Sequence, residues 1–288
     1  MKITTIGIVG YGYWGKIICE NLYLMGKFDI IIYDPYIKQD KTEGSGLPIY
    51  KEIDQLFQCS HVFITSPAST HFDVCSKLLS HGISIFCEKP PTTESKTTKE
   101  LYKIAKQNNG RLFIDWTFLY NDSIWELKKY IENEGLPKSI FMNRMNYGPK
   151  RDDVSAKYDL ASHDISIINY LLGDQKIENI RWYEYNLING SQYDTCIGIV
   201  ELDGRIVQIN TSWSANQKIR ACYFNFLSKT ALWDDSKKLL TIDSYKYYSK
   251  SSPLANSIQA FLFNEENHIS NEEQQQITIK TMDMLEWK

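Results

Sequence analysis

A chain of 288 residues with 43% hydrophobic content can bury a large core and fits two domains more readily than one. Its formal charge of -3 argues against nucleic acid or an anionic membrane surface as the main partner, because both demand a surplus of Lys and Arg. No apolar run approaches the ~20 residues of a membrane helix; six scattered cysteines, no Cys-x-x-Cys pair and nothing like a secretory leader predict reduced thiols in a cytoplasmic protein, with no metal cage.

The first stretch to carry a signal is Ile6 to Gly15, where an apolar strand runs into glycines at 10, 12 and 15. This spacing fits the phosphate-gripping turn of a dinucleotide fold: Gly10 permits the tight turn, Gly12 lets backbone N–H groups approach a pyrophosphate, and Gly15 allows close packing of helix on strand. A helix over Tyr13 to Met25 follows, with Tyr13 and Trp14 in its first turn and its positive end aimed at the phosphates. A second strand, Phe28 to Tyr33, ends in Asp34, 24 residues past Gly10. An acid there accepts hydrogen bonds from the adenosine ribose hydroxyls and repels a 2′-phosphate, so NAD is expected over NADP. Pro35, Tyr36 and Ile37 offer no Arg to clasp such a phosphate, and the nearest base along the chain, Lys38, sits on a polar loop reaching Gly46.

Alternation then continues. Helices are expected over Lys51 to Gln58, Ser69 to His81 and Thr93 to Asn108, and strands over His61 to Thr65, Ile83 to Cys87 and Arg111 to Asp115. Such alternation implies a parallel, doubly wound sheet covered on both faces, which places a dinucleotide-binding Rossmann domain at residues 1–118. Past Tyr120 the pattern changes. A helix over Asp122 to Asn133 and a strand over Ser139 to Tyr147 lead to runs at Ile177 to Leu187, Tyr193 to Leu202, Arg205 to Ser212, Ile219 to Leu227 and Lys229 to Trp233. Breaks such as Asn189-Gly190 and Asp203-Gly204 separate them as hairpin turns. Residues 119–288 therefore read as an α/β domain with a largely antiparallel open sheet, closed by helices over Pro253 to Phe263 and Asn271 to Trp287. An exposed face of such a sheet commonly becomes a subunit interface, so a homodimer or homotetramer is expected.

Two constellations can carry chemistry. Glu88-Lys89-Pro90 ends the Ile83 to Cys87 strand at the sheet edge where ligands collect, and a lysine partly buried near a cationic ring is a candidate proton carrier. Asp159 and His163 stand four apart at the opening of a helix that stops at Gly173, off the stripe formed by Ile165, Ile168 and Leu172. A carboxylate one turn away orients an imidazole as a general acid or base requires. His71, following Ser66-Pro67-Ala68-Ser69-Thr70, caps or lines the cofactor side.

Gly10-x-Gly12-x-x-Gly15, the Thr65 to His71 turn, Glu88-Lys89-Pro90 and Asp159-x-x-x-His163, in that order and spacing, resemble the Gfo/Idh/MocA family of nicotinamide-dependent sugar and cyclitol oxidoreductases. The resemblance implies hydride transfer between a nicotinamide and a secondary alcohol or ketone carbon of a sugar, cyclitol or nucleotide sugar. It implies that Lys89 touches nicotinamide and substrate, and that Asp159 and His163 face the reacting carbinol. It also assigns the glycines, Tyr13, Trp14, Asp34, Ser66, Pro67, His71 and Glu88 to the cofactor. Arg144 to Gly148 with Arg151-Asp152 looks like members of nucleotide-sugar or surface-polysaccharide metabolism. Pro91 and Thr117-Phe118 depart from the family pattern, which usually has a small or aliphatic residue and an Asn-Arg pair there, and the chain is short for the family. The other readings are a non-catalytic NAD(P) sensor, as in a galactose-pathway repressor of this fold, and an enzyme of the family acting on a non-sugar carbonyl. A sensor has no need of Lys89, Asp159 and His163 together.

Overall fold

The computed structural model describes residues 5–26, 28–37, 46–148, 151–188, 190–265 and 268–287. The chain divides into two compact units, one of Met1–Asp115 with Ile258–Glu265 and the other of Trp116–Ser257 with Glu266–Lys288.

The first unit is built on strands β1 (Thr5–Val9), β2 (Asp29–Tyr33), β3 (Ile49–Tyr50), β4 (His61–Ile64), β5 (Ser84–Cys87) and β6 (Leu112–Ile114). They lie in the order β3-β2-β1-β4-β5-β6, every pair parallel, so the connection reverses direction between β1 and β4. Ile6–Val9, Val62–Ile64, Ile85–Cys87 and Leu112–Ile114 are buried without alternation, as strands covered on both faces require. Helices α1 (Tyr13–Met25), α2 (His71–Leu79) and α3 (Ser95–Gln107) supply the crossovers, with 3₁₀ turns at Ile53–Gln58 and Ala68–Thr70 where continuous helices were expected. Phe261 brings the late segment into this core, with its ring 5.3 Å from Phe63, 5.6 Å from Phe86 and 5.6 Å from Phe113. The Arg111 guanidinium lies 4.9 Å over the Phe261 ring and bonds the Phe261 carbonyl.

The second unit holds eight strands: β7 (Ser139–Tyr147), β8 (Ile177–Tyr185), β9 (Thr195–Leu202), β10 (Arg205–Ser212), β11 (Ser214–Asn225), β12 (Thr230–Asp234), β13 (Leu239–Ile242) and β14 (Tyr245–Tyr248). Their order is β14-β13-β12-β11-β7-β10-β9-β8, and every pair is antiparallel except β7 with β10. The β9–β10 hairpin turns at Asp203-Gly204, both residues with positive φ (45° and 71°), as a two-residue turn of matching twist requires. Helices α4 (Asp122–Glu134), α5 (Ser162–Leu172) and α7 (Asn271–Leu285) belong to this unit, while α6 (Pro253–Phe263) is divided between the two units after Ser257. Lys128 Nζ donates to the Tyr170 carbonyl at the end of α5, Asn169 Nδ2 donates to Thr281 Oγ1 on α7, and Trp182 Nε1 donates to the Met284 carbonyl.

The strand pair β13–β14 was not expected, because its turn is Asp243-Ser244 rather than an Asn-Gly or Asp-Gly pair; Asp243 takes the left-handed conformation itself, at φ 49°. The helix expected to open at Tyr158 is instead preceded by a π-type turn over Lys157–Ala161. Lys38 to Ser45 of the polar loop and Asn189 of the hairpin pair lie outside the described residues. All six cysteines are unpaired and buried. Burial pushes the Cys59 and Cys196 thiols up to about 12, so neither is a thiolate at neutral pH.

Candidate functional site

In the first unit the predicted residues gather at the carboxyl ends of β1, β2, β4 and β5. Gly10 leaves β1 with φ 85°, and a β-carbon on it would press on Ser66 N at 3.2 Å. Gly15 is constrained further, because a β-carbon there would stand 2.1 Å from the Gly10 carbonyl oxygen. That oxygen and the Val9 carbonyl both accept from Thr65 Oγ1, at 2.8 and 3.0 Å. Gly12 differs: a β-carbon on it would meet nothing within 4 Å. The first bond inside α1 runs from Lys16 N to the Gly12 carbonyl, so the N–H groups ahead of it face out of the helix end. No side chain caps that end and no acid lies in its first turn, which suits an anion. Tyr13 and Trp14 are exposed there and meet edge to face, 5.7 Å between ring centres.

Asp34 stands beside this cradle. One carboxylate oxygen accepts from Tyr11 N at 2.9 Å and the other from Tyr36 N at 3.0 Å. A carboxylate offers about four lone-pair positions, so about two remain for hydroxyl donors. The bond to Tyr36 also closes an Asx-type turn, so the acid shapes the backbone and faces a ligand with the same group. Lys51, just past β3, donates from Nζ to the Asp34 and Ile37 carbonyls, both at 2.9 Å. This base was not read from the sequence, since its place follows from the pairing of Tyr50 with Tyr33.

His71 opens α2 as a buried residue. Its Nδ1 lies 2.9 Å from the Pro90 carbonyl and its Nε2 2.9 Å from the Ser66 carbonyl. The ring thus ties the turn after β4 to the turn after β5, where Glu88 and Lys89 stand half-buried. Pro67 is exposed at the rim of that turn.

The second unit carries Asp159 and His163. Asp159 sits in the π-type turn, where one carboxylate oxygen lies 3.4 Å from Arg151 Nη1 and the other accepts from Trp213 Nε1 at 3.1 Å. Burial works against the Arg151 charge, but Asp153 and Asp159 hold it above its ordinary value. Within α5 every residue from Ser162 to Leu172 is buried except His163. The imidazole packs edge-on against Phe118, 4.9 Å between ring centres.

Behind it lies an ion pair that sequence reasoning missed. Arg144 donates from Nε and Nη2 to one oxygen of Asp164, at 2.9 and 2.7 Å, and both side chains are almost wholly buried. Burial raises the Asp164 carboxyl above the ordinary range, against the pull of Arg144 and Arg220, while Asp164 sustains the Arg144 charge against burial. Removing one partner of such a pair strands a buried charge, at about 3–5 kcal/mol. A signal was present: Arg144 takes the inward phase of β7, the phase of Ile140 and Met142. A charge at such a position needs a buried partner.

Among the described residues no group of three or more His, Cys, Asp or Glu side chains could hold a metal ion. No helix of the described residues is long and apolar enough to cross a membrane.

The family described as "Oxidoreductase family, NAD-binding Rossmann fold" matches residues 4–116. A myo-inositol 2-dehydrogenase of Thermotoga maritima is 23% identical over 189 residues, which are 59% of this chain and 55% of that protein. Two other curated relatives are matched over 36% and 26% of their own lengths. The fold extends further. A UDP-N-acetylglucosamine 3-dehydrogenase, GnnA, from Acidithiobacillus ferrooxidans superposes with a TM-score of 0.84 at 18% identity, over 99% of this chain and 97% of that one. The WlbA dehydrogenase of Bordetella pertussis, solved with NADH and UDP-GlcNAcA, gives 0.81 at 17% identity, over 99% and 94%.

Replacing Gly15 by Ala forces the start of α1 away from the Gly10 carbonyl. We expect Gly15→Ala to lower the thermal midpoint by several degrees and to weaken anion binding at the helix end at least about tenfold. Differential scanning fluorimetry with and without pyrophosphate measures both; an unchanged midpoint with an unchanged pyrophosphate shift would contradict this role.

Proposed function

We propose, from the match of residues 4–116 to the oxidoreductase family with an NAD-binding Rossmann fold, that the chain is an NAD-dependent dehydrogenase or reductase of a sugar, cyclitol or nucleotide sugar. The observation that carries this reading is the cradle of the first unit: open space over Gly12, an uncapped helix end, and Asp34 with both carboxylate oxygens fixed by backbone N–H groups. Gly10, Gly12, Tyr13, Trp14 and Gly15 would hold the pyrophosphate, and Asp34 the adenosine ribose hydroxyls. Ser66, Pro67, His71 and Glu88 would complete the cofactor side. Bound there, NAD supplies a hydride acceptor and NADH a hydride donor.

The chain's own part is to handle the proton. His163, the one α5 residue left unburied, would take or give the hydroxyl proton of a secondary alcohol. Asp159, fixed by Arg151 and Trp213, would orient that imidazole. Lys89 would polarise the carbinol oxygen or share its proton, and the two roles are exchangeable. The sugar and nucleotide-sugar class is supported by what the inositol, UDP-N-acetylglucosamine and UDP-GlcNAcA proteins act on or bind.

A second copy of this chain is the partner we propose for the open face of the second unit's sheet. Phe141, Tyr183, Ile206 and Tyr223 are exposed there, and register puts all four on the same face.

Lys89→Met and His163→Ala are each expected to lower turnover on an identified substrate by about 100-fold or more, with His163→Ala leaving the NADH dissociation constant nearly unchanged. Near-wild-type turnover in both variants would displace the site. Cofactor binding without turnover across a screen of sugars, inositols and nucleotide sugars would favour a sensor instead. For cofactor choice, NADH should bind at least about tenfold tighter than NADPH, ~1.4 kcal/mol, and Asp34→Ala should narrow the gap mainly by improving NADPH binding. Fluorescence titration decides this, and equal or tighter NADPH binding by wild type rejects the role of Asp34. Light scattering should report a dimer or tetramer that Phe141→Asp weakens; a monomer at micromolar concentration would rule out the sheet-face partner.

A further inference from the structure

We propose that Lys51 is a specificity residue of the dinucleotide site, the group that would receive a 2′-phosphate and so sets how strongly Asp34 discriminates against it. The inference rests on the dinucleotide reading above and concerns its adenosine end. Tyr50 pairs with Tyr33, and Asp34 N donates to the Tyr50 carbonyl at 3.1 Å, so Lys51 leaves β3 where Asp34 leaves β2. Two residues of opposite charge therefore occupy neighbouring positions on parallel strands, about 4.8 Å apart by strand spacing.

Their side chains are engaged differently. Asp34 spends its carboxylate on Tyr11 N and Tyr36 N, whereas Lys51 Nζ goes to the carbonyls of Asp34 and Ile37. Among the described residues the ammonium has no carboxylate within ion-pair distance, so its charge is not cancelled by Asp34. An ammonium has three N–H donors, and these carbonyls take two. Lys51 is exposed, so its third donor is accessible to a phosphate arriving from solvent. The single turn Asp34–Ile37 is thus flanked by a carboxylate suited to ribose hydroxyls and by a cation suited to a phosphate monoester.

The carbonyl contacts of Lys51 are not what holds the turn. Ile32 N bonds the Pro48 carbonyl at 2.9 Å, Asp34 N bonds Tyr50, and Tyr36 N bonds Asp34. Removing the ammonium therefore leaves the hydroxyl-accepting side in place. Its loss should be felt by a phosphate at the 2′ position and hardly at all by a free hydroxyl.

The test is equilibrium titration of the full chain with NADH and NADPH, read by fluorescence. Lys51→Met should weaken NADPH about tenfold, the weight of one charge-assisted hydrogen bond, while NADH stays within about twofold. Lys51→Arg should retain NADPH binding. Asp34→Ser should improve NADPH, and adding Lys51→Met to it should remove most of that gain. Equal weakening of both dinucleotides by Lys51→Met would make Lys51 a staple of the turn and overturn the proposal. So would NADPH binding unaffected by Lys51→Met in both backgrounds. A wild-type chain that binds neither dinucleotide would overturn the dinucleotide reading itself, and this inference with it.

Discussion

A missing β-carbon governs the first unit. Only a glycine at position 15 lets α1 approach the Gly10 carbonyl, and the same oxygen is held from the other side by the Thr65 hydroxyl. Three elements, β1, α1 and β4, therefore converge on one atom. From that convergence follow the direction in which α1 points its N-terminus, the reach of Tyr11 N to Asp34, and the nearness of Ser66 to Gly10. Packing at this density leaves little freedom to move one element without the others.

Much of this was legible because parallel strands buried on both faces give unbroken apolar runs, and the glycines fall at their ends. Asp34 was legible for the same reason, at the foot of β2. Lys51 was not: it is delivered by a strand of two residues, and it bonds backbone carbonyls, which leave no mark in side-chain pattern. Likewise the π-type turn at Lys157–Ala161 inserts an irregularity that a count of helical spacing passes over. The spacing of Asp159 and His163 is visible in sequence, whereas the bonds of Asp159 to Arg151 and to a tryptophan 54 residues away are not. Such a partner emerges only when β10 has been threaded beside β7.

The second unit shows how charge is kept inside a sheet domain. Arg144 and Arg220 face each other across β7 and β11, a pairing that repels when nothing intervenes. Asp164 answers the first and Asp235 the second, and the Phe118 ring lies 4.4 and 5.5 Å from the two guanidinium carbons. Phe118 is also the ring on which His163 rests. Phe118 thus places an aromatic face where the cations converge. It joins the electrostatics of the buried pair to the seat of the imidazole.

The late return of Ile258–Glu265 to the first unit has a bearing on how the molecule is made. A ribosome delivers the chain from its N-terminus, and domains emerging in that order generally fold as they appear. Here the parallel sheet is fully synthesised by Ile114, yet Phe261, which packs against Phe63, Phe86 and Phe113, arrives nearly 150 residues later. Until then those rings lack the Phe261 ring that packs against them. The first unit therefore completes its core only after residues 116–257 of the second have been made.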